Sequence, residues 1–271
     1  MILDKIPKSI SEPALLVESS RFLVKLAQTE DEIREVQRLR YRVFNEEQKR
    51  GLKRADTDGI DIDEYDEYCL HLMVQEKSSG KTIGTYRAQM GTVAHSAKGF
   101  YTAREFDLKG LNKIYDRCLE LGRSCVSPQH RHGAVIALLW YAISELLVRT
   151  DSTYMLGCVS LDTIDPLIGW TLHEHLMEAN NLSHKIEAVP RPEFRLERPP
   201  AKEIIRSLSD TRTLKTYIPA LFKAYIRVGA SVCGEPALDE EFGTIDFCIL
   251  VDVGKIPYRY VKHFKYPAKA K

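Results

Sequence analysis

A carboxylate and a guanidinium lie three residues apart inside a run that otherwise has the composition of a buried β-strand. The run is Glu120-Leu121-Gly122-Arg123-Ser124-Cys125-Val126. Charges in a buried strand need a partner or a function, because removing them from water is costly. Residues i and i+3 of an extended chain point to opposite faces, so Glu120 and Arg123 can act together only if Gly122 allows a β-bulge. Such a bulge would also leave backbone N–H groups available to bind a carbonyl.

Three upstream segments extend this strand into a set of motifs. They are Arg40-Tyr41-Arg42-Val43-Phe44, Asp63-Glu64-Tyr65-Asp66 and Gly84-Thr85-Tyr86-Arg87. In this order and at these separations, the four motifs resemble those of the acyl-homoserine-lactone synthases and their relatives in the GNAT superfamily. Within that branch the chain is most similar to the L-ornithine N-alpha-acyltransferase group, which is often labelled hemolysin-like and uses acyl carrier protein.

The resemblance covers roughly residues 21 to 264. It includes Leu139-Trp140, residues 219–230, the run Cys233-Gly234-Glu235-Pro236-Ala237, then Asp239 and Asp246-Phe247. It implies an α/β fold of the GNAT type, with a mixed central sheet flanked by helices and a helical, proline-rich insertion after the fifth strand.

Apolar periodicity predicts the same kind of architecture from the residues alone. Strands are expected at 22–27, 70–75, 82–90, 117–126 and 153–160, and helices at 30–50, 130–149 and 161–180. A last helix at 214–228 and strands at 230–233 and 245–251 complete the alternation. We interpret 1–20 as a loose N-terminal arm, 21–264 as one acyltransferase domain with an insertion at about 161–213, and 265–271 as a basic tail. The connector at 190–200 can alternatively mark a domain boundary.

Composition excludes several classes of protein. With 271 residues, 44% hydrophobic and 28% charged, the chain is typical of a soluble globular protein. A net charge of +1 gives no global support for nucleic-acid binding. The six cysteines lack metal-ligand spacing, which favours a reduced, cytoplasmic protein. We expect neither a signal peptide nor a membrane span, since the longest apolar run is shorter than the roughly 20 residues that a span needs.

Basic residues dominate the end of the chain. After Asp252 come Lys255, Arg259, Lys262, Lys265, Lys269 and Lys271, interleaved with aromatic residues and without an acid. This pattern suits docking on anionic lipid headgroups at the inner membrane face or on an acidic carrier protein. A solvated basic tail remains an equal alternative.

Glu120 is our candidate general base. Amide synthesis from a thioester needs a deprotonated amine and a polarised carbonyl, and a carboxylate at a strand edge meets the first need directly or through a water. Partial burial would raise the pKa of Glu120 toward neutrality, and Arg123 would oppose that rise. The alternative is that the two residues form a structural ion pair.

The other charged motifs suit an amino acid acceptor. Arg42 and Arg87 can bind its carboxylate with two hydrogen bonds each, or can simply neutralise the aspartate loop. The resemblance implies that Asp63 and Asp66 are paired acids that position the arginines and the acceptor amine. Charge complementarity alone adds Asp61 or Glu64 as a partner for the second cation of ornithine.

The segment after the Glu120 strand is expected to hold the donor. GNAT enzymes usually bind a pyrophosphate with an Arg/Gln-x-x-Gly-x-Gly/Ala loop at a helix start. Residues 129–134 lack that spacing, which argues against coenzyme A and for phosphopantetheine on acyl carrier protein, with no permanently bound cofactor. Val126, Arg131, His132 and Gly133 are the expected contacts, and Trp140 with its apolar neighbours would line an acyl slot or form ordinary core.

Two further site types are not supported by spacing. His130-x-His132 and His173-x-His175 lack the helical i, i+4 spacing of a zinc protease site, and no serine lies in a Gly-x-Ser-x-Gly elbow. We therefore predict no metal site and no hydrolase. The predicted activity is transfer of a long, 3-hydroxylated acyl group from acyl carrier protein to the α-amine of an amino acid, foremost ornithine. Alternatives are an acyl-homoserine-lactone synthase, another N-acyl amino acid synthase, and a non-catalytic, membrane-perturbing hemolysin-like protein.

Overall fold

Strands and helices alternate along the chain, which confirms the predicted α/β class. The computed structural model describes residues 8–51, 59–131, 133–179, 181–208, 214 and 216–258. The α-helices are Lys8–Ser11 (α1), Glu30–Tyr41 (α2), Gly91–His95 (α3), Ala134–Arg149 (α4), Pro166–Glu178 (α5), Ala201–Leu208 (α6) and Ala220–Arg227 (α7). The strands are Leu15–Glu18 (β1), Phe22–Leu26 (β2), Leu70–Glu76 (β3), Thr82–Met90 (β4), Phe106–Lys109 (β5), Cys118–Val126 (β6), Tyr154–Leu161 (β7), Glu187–Pro190 (β8), Ser231–Val232 (β9), Ala237–Asp239 (β10) and Thr244–Asp252 (β11).

Two compact units make up the chain. The first contains the described residues up to Gly99, together with Asp116–Thr153 and those from Pro257 on. The second contains Phe100–Tyr115 and Tyr154–Ile256. The interpretation of 21–264 as one domain with an insertion stays a prediction.

The first unit is built on an antiparallel run of strands in the order β1-β2-β3-β4-β6. Its register places Val24 beside Val74, and Val74 beside Gly84. Within residues 8–20, the described part of the predicted loose arm, β1 pairs with β2 along Leu15–Glu18. A four-residue strand with one exposed leucine gives too weak an alternation to be recognised from sequence.

Helices α2 and α4 cover opposite faces of this sheet. A Cβ on Gly84 would lie 2.8 Å from the Val135 side chain of α4. The neighbouring Thr85 points the other way, and its cross-strand partner Cys125 packs against Leu39 of α2. Thr85 therefore lies on the α2 face of the sheet, and every second residue after it in β4, including Arg87, lies on the same face.

Helix α2 begins at a clear local signal and ends in an irregular turn. Thr29 and Glu32 form a reciprocal capping box at its start. After Tyr41 the helix widens into one π-helical turn, Arg42–Glu47, instead of continuing to residue 50 as the periodicity predicted. π-helical turns are rare and often lie at functional sites.

The second unit contains two groups of paired strands. β11 pairs antiparallel with β7, β10 and β9, and β5 pairs antiparallel with β8. Helices α5 and α6 and a 3₁₀ turn at Pro192–Phe194 follow β7, as expected of the helical, proline-rich segment. Strands β5 and β8, each four residues long, were not predicted.

Gly234 has a steric reason to be glycine in the Cys-Gly-Glu-Pro run. Its backbone lies beside Ala188 of β8, and a Cβ there would come within 2.0 Å of the Ala188 carbonyl oxygen. Cys233, the residue before it, accepts a hydrogen bond from the Ala188 N–H at 2.8 Å. This close approach joins the β9 region to β8 and requires the absence of a side chain.

A buried carboxyl pair lies inside the second unit. Glu105 and Asp246 are both buried and hydrogen-bonded to each other, and Thr244 Oγ1 donates to Asp246 Oδ1 at 2.9 Å. The Cys158 thiol lies 3.8 Å from Glu105 Oε2, and one ligand atom from each of these three residues lies within 4.8 Å of the other two. No motif in the sequence indicated this group, because its members come from three separate segments.

We expect Asp246 to make the protein less stable as the pH rises from about 4 to above 6. Burial raises the pKa of Asp246 to about 6 from an ordinary value of 3.8. The folded state therefore holds a proton that the unfolded state releases, so the stability present at low pH is lost as the pH rises through the folded pKa. Urea unfolding at a series of pH values should show this slope in the wild type and a flatter one in Asp246→Asn. Asp252→Asn, on the same strand but partly exposed, should retain the wild-type slope; equal slopes in all three proteins would contradict the prediction.

Membrane crossing and the basic C-terminus bear on localisation. Within the residues that the structure describes, no helix combines the length and apolar character needed to traverse a bilayer. Of the predicted basic cluster, Lys255 is described and exposed, whereas Arg259 and the lysines at 262, 265, 269 and 271 lie outside the described residues. The tail's role stays a prediction.

Candidate active site

The predicted bulge is present in β6. Thr85 pairs with Cys125 and Arg87 pairs with Gly122, so Tyr86 is opposite two residues of β6, Arg123 and Ser124. The left-handed residue is Arg123, with φ of 51°, and not Gly122. A non-glycine residue in this conformation costs about 1–3 kcal/mol and persists where the surrounding structure holds it.

The bulge moves Arg123 to the face that carries Glu120. Glu120 pairs with Gln89, and Gly122 pairs with Arg87, so these side chains share the α2 face of the sheet. Arg123 Nη2 donates to Asp63 Oδ2 at 2.9 Å on that same face. The i, i+3 pair therefore lies on one face of the sheet, the condition that the sequence analysis set for the two residues to act together.

Three arginines and three aspartates form a buried network around this face. Arg87 Nη1 donates to Asp63 Oδ1 at 2.6 Å and to Asp66 Oδ1 at 2.8 Å. Arg40 Nη1 donates to Asp66 Oδ1 at 2.8 Å, and Arg40 Nε donates to Asp61 Oδ1 at 2.6 Å. Arg40 and Asp61 are both 0% exposed, so each charge is compensated by its partners and not by water.

Backbone contacts hold the aspartate loop in place. The Tyr65 N–H donates to Asp63 Oδ1 at 2.9 Å, and the Asp61 N–H donates to the Gln37 carbonyl of α2 at 3.1 Å. His71 Nε2 lies 3.0 Å from the Asp66 carbonyl oxygen. The loop is thus ordered over the part that the structure describes.

The network keeps its charges fixed over a wide pH range. Burial alone would raise the pKa of Asp66, but the guanidinium groups of Arg40 and Arg87 outweigh burial and hold that pKa well below its usual range. Burial also opposes ionisation of Asp63, whose pKa is nevertheless lowered by Arg87 and Arg123. Both aspartates remain carboxylates at any physiological pH.

Two neighbours of the network are neutral. Burial lowers the pKa of His71, so its imidazole is uncharged near neutral pH. Burial raises the pKa of the Cys69 thiol well above its usual range, so this cysteine is not a thiolate nucleophile. Glu120 lies close enough to Cys69 to act on it electrostatically, which places Glu120 at the edge of the network.

Arg42 lies apart from the other predicted acceptor residues. The structure brings Asp63, Asp66, Arg87 and the Glu120–Arg123 pair together, whereas Arg42 is exposed and lines a separate cleft. Its predicted place in the network is taken by Arg40, two residues earlier on α2. Residues two apart on a helix point about 200° from each other, so only one of the two can face the sheet.

Arg40 could have been found from helical spacing. Its separations of 7, 4 and 3 residues from Ile33, Val36 and Gln37 put it in the buried stripe of α2. Asp61 belongs to the same network, where it pairs with Arg40 and Arg123, while Glu64 pairs at the surface with Lys98. Arg87 is held by acids, the second of the two roles considered; its binding of an acceptor carboxylate stays a prediction.

The predicted donor residues lie at the junction of β6 and α4. Val126 ends β6, and its carbonyl accepts a hydrogen bond from Arg131 Nε at 2.9 Å. Arg131 also makes a two-pronged ion pair with Glu47 at 2.7 and 2.8 Å. Gly133, with φ of 91°, precedes the first turn of α4. Trp140 is half-buried further along α4, and His132 lies outside the described residues.

A cleft of about 850 Å³ opens beside this junction in the first unit. Its walls come from α2 with its π-helical turn, from the β3–β4 hairpin and from the turn before α4. Residues lining it include Arg38, Arg42, Glu47, Lys81, Ser127 and His130. The mixture of charges suits a polar ligand or partner more than an apolar chain.

Comparison with known proteins gives consistent results. Residues 39–141 match the family described as acetyltransferase (GNAT) domain. The chain is 33% identical to a protein of Agrobacterium fabrum (strain C58 / ATCC 33970) named L-ornithine N(alpha)-acyltransferase, over 89% of this chain and 84% of that protein. A protein of the same name from Rhizobium meliloti (strain 1021) is 31% identical over 96% of this chain and 90% of its own length. Among solved structures, the AHL synthase LasI gives a TM-score of 0.46 at 12% identity, covering 87% of this chain and 91% of LasI; similarity this low supports no inference about function.

Proposed function

The chain belongs to the L-ornithine Nα-acyltransferase family of GNAT enzymes, and we propose that it moves a long fatty acyl group from acyl carrier protein to the α-amine of ornithine. The observation that carries this proposal is the β6 bulge, which places Glu120 and Arg123 on the face occupied by the Arg–Asp network. A buried carboxylate beside fixed charges is the arrangement that amine deprotonation needs.

The reaction follows from that arrangement. The α-amine of ornithine attacks the thioester carbonyl carbon, so that a C–N bond forms and the C–S bond breaks. Glu120 accepts a proton from the amine, directly or through a water, and the departing sulfur receives a proton to become a thiol. Backbone N–H groups at the bulge, where the pairing between β4 and β6 is interrupted, are the candidates to polarise the carbonyl.

The donor is proposed to approach from the β6–α4 junction. The N-terminus of a 16-residue helix favours an anionic group, and Gly133 has no side chain to block access to its first turn. The charge of Arg131 is already compensated by Glu47, so little positive charge is left to bind an anion at this helix start. Such a site suits the single phosphate of phosphopantetheine. Val126 and Trp140 are proposed to contact the pantetheine arm and the acyl chain, and His132 completes the proposed set.

The product would be a lyso-ornithine lipid, which partitions into membranes. A 3-hydroxylated chain is proposed from the family resemblance alone. The basic C-terminal residues support action at the inner membrane face, because lysines and arginines are attracted to anionic headgroups.

A reconstituted assay tests the proposed function. The purified protein is incubated with 3-hydroxyacyl carrier protein or the matching acyl coenzyme A, together with ornithine, glycine, glutamine or tyrosine, and products are identified by mass spectrometry. We expect N-acylornithine from the carrier-protein donor in excess over every other combination. Equal rates with acyl coenzyme A would refute the choice of donor, and preference for another amino acid would refute the choice of acceptor. Absence of any product, with lysis of vesicles by the protein alone, would favour the hemolysin-like alternative.

A further inference from the structure

Gln89 has a buried amide whose hydrogen-bonding groups are unused within the described part of the chain. The residue is only 1% exposed, and neither Nε2 nor Oε1 has a hydrogen-bond partner among the described residues. Buried amides are almost always satisfied, because leaving a donor and an acceptor unpaired away from water is costly. An exception at the penultimate residue of a nine-residue, fully buried strand therefore calls for a function.

The position of Gln89 relates it to the reacting groups. It is the direct cross-strand partner of Glu120, which is 5% exposed, and side chains of such partners lie on the same face of a sheet. Arg87 is two residues away on the same strand and on the same face. On the other side, Leu70 of β3 pairs with Ala88, and continuing that register by one residue puts Cys69 beside Gln89. The amide thus lies beside Glu120 and close to Arg87 of the charged network.

Charged groups of both signs lie near Gln89 on this face of the sheet. Among the described residues, three arginines and three aspartates pair with one another, and Glu120 adds a fourth carboxylate at the edge of the network. An α-amino acid brings both an ammonium donor and a carboxylate acceptor on one carbon. The amide of glutamine presents the complementary pair, an acceptor oxygen and a donor nitrogen on one carbon.

We propose that Gln89 binds the α-amino-carboxylate end of the acceptor, with Oε1 accepting from the amine that Glu120 deprotonates and Nε2 donating to the carboxylate. This inference rests on the proposed function and adds an acceptor contact to it. It also assigns the carboxylate contact to a residue whose hydrogen-bonding groups are unused, whereas Arg87 Nη1 is already engaged by Asp63 and Asp66. This contact would recognise any α-amino acid, so other residues would recognise the ornithine side chain.

Removing the polar groups of Gln89 should have opposite effects on the stability of the protein and on its binding of ornithine. Gln89→Met keeps the length and approximate volume of the side chain and removes both polar groups. Because the wild-type amide is unsatisfied in the free protein, we expect the variant to have an equal or higher Tm. We expect its KM for ornithine to rise about tenfold or more, with the KM for the acyl donor unchanged. Gln89→Leu serves as the second variant if the methionine protein does not fold.

A matched control separates this effect from general core changes. Thr171 in the second unit is also buried with an unpartnered hydroxyl, and Thr171→Val should raise or preserve Tm without altering either KM. Wild-type protein should be stabilised thermally by ornithine but not by 1,4-diaminobutane, which lacks the carboxylate. Gln89→Met should lose the stabilisation by ornithine.

The outcomes distinguish the inference from the proposed function. If wild type forms N-acylornithine and Gln89→Met retains the wild-type KM for ornithine, the inference is wrong and the function stands. A Tm lowered by several degrees in Gln89→Met and Gln89→Leu, with KM unchanged, would likewise assign the amide to structure. If wild type acylates no amino acid, the proposed function is wrong, and thermal unfolding with ornithine tests the inference by itself. A rise in Tm with ornithine that is present in wild type and lost in Gln89→Met supports the inference. An equal rise in both proteins, or no rise in wild type, overturns it.

Discussion

Glu120→Gln lowers kcat for N-acylornithine formation by about 10²–10⁴-fold, the usual contribution of a general base, while the protein remains folded. The glutamine has the same shape and retains hydrogen bonding, but it cannot accept a proton from the amine at the reaction pH. The expectation rests on position: the bulge directs Arg123 to Asp63, while Glu120 stays in register opposite Gln89.

Steady-state kinetics on matched variants measure this effect. Glu145→Gln makes the same chemical change on the exposed side of α4 and should leave kcat and both KM values unchanged. Circular dichroism and thermal unfolding establish that Glu120→Gln is folded. A folded variant with kcat near that of the wild type would remove Glu120 from the mechanism and support the alternative that Glu120 is structural.

The strands and helices that carry the site were predictable from local patterns. β3, β4 and β6 are long apolar runs bounded by turn residues, and their predicted ends lie within one residue of the observed ones. Helix α2 was located by its apolar spacing, although the π-helical turn at its end was not. Short strands such as β1, β5 and β8 were missed, because four residues give too little alternation and their pairing depends on distant segments.

The membership of the charged network was only partly predictable. The motif contains two arginines, Arg40 and Arg42, and the orientation of α2 about its axis decides which of them faces the network. The buried stripe of that helix favours Arg40. The left-handed Arg123 follows from ion pairing with Asp63, 60 residues away, which no local propensity encodes. Gln89 gave no signal at all, because an amide in a strand looks like a solvent-facing residue until its neighbours are known.

Asp66→Asn destabilises the protein by about 3–5 kcal/mol, the range observed when one member of a buried ion pair is removed. Asp66 accepts from Arg40, from Arg87 and from Gln37 Nε2 at 3.2 Å, so its neutralisation leaves two buried guanidinium groups with less compensation. The free energy of unfolding in urea measures the loss. Glu64→Gln removes a carboxylate of the same loop that pairs with exposed Lys98, and should change stability little.

Acid unfolding provides an independent check on the same carboxylate. The pKa of Asp66 is lowered in the folded state, so its contribution to stability is present above the ordinary value of 3.8 and is lost as the pH falls toward the folded pKa. Wild type should therefore lose stability steeply below about pH 4, and Asp66→Asn should lose less over the same range. If Asp66→Asn instead unfolds in urea and acid like wild type, the network does not stabilise the fold, and the strain at Arg123 would need another source of compensation. The predicted result would mean that the charges proposed to orient the acceptor also hold β4, β6 and α2 together, so that folding itself assembles the proposed site.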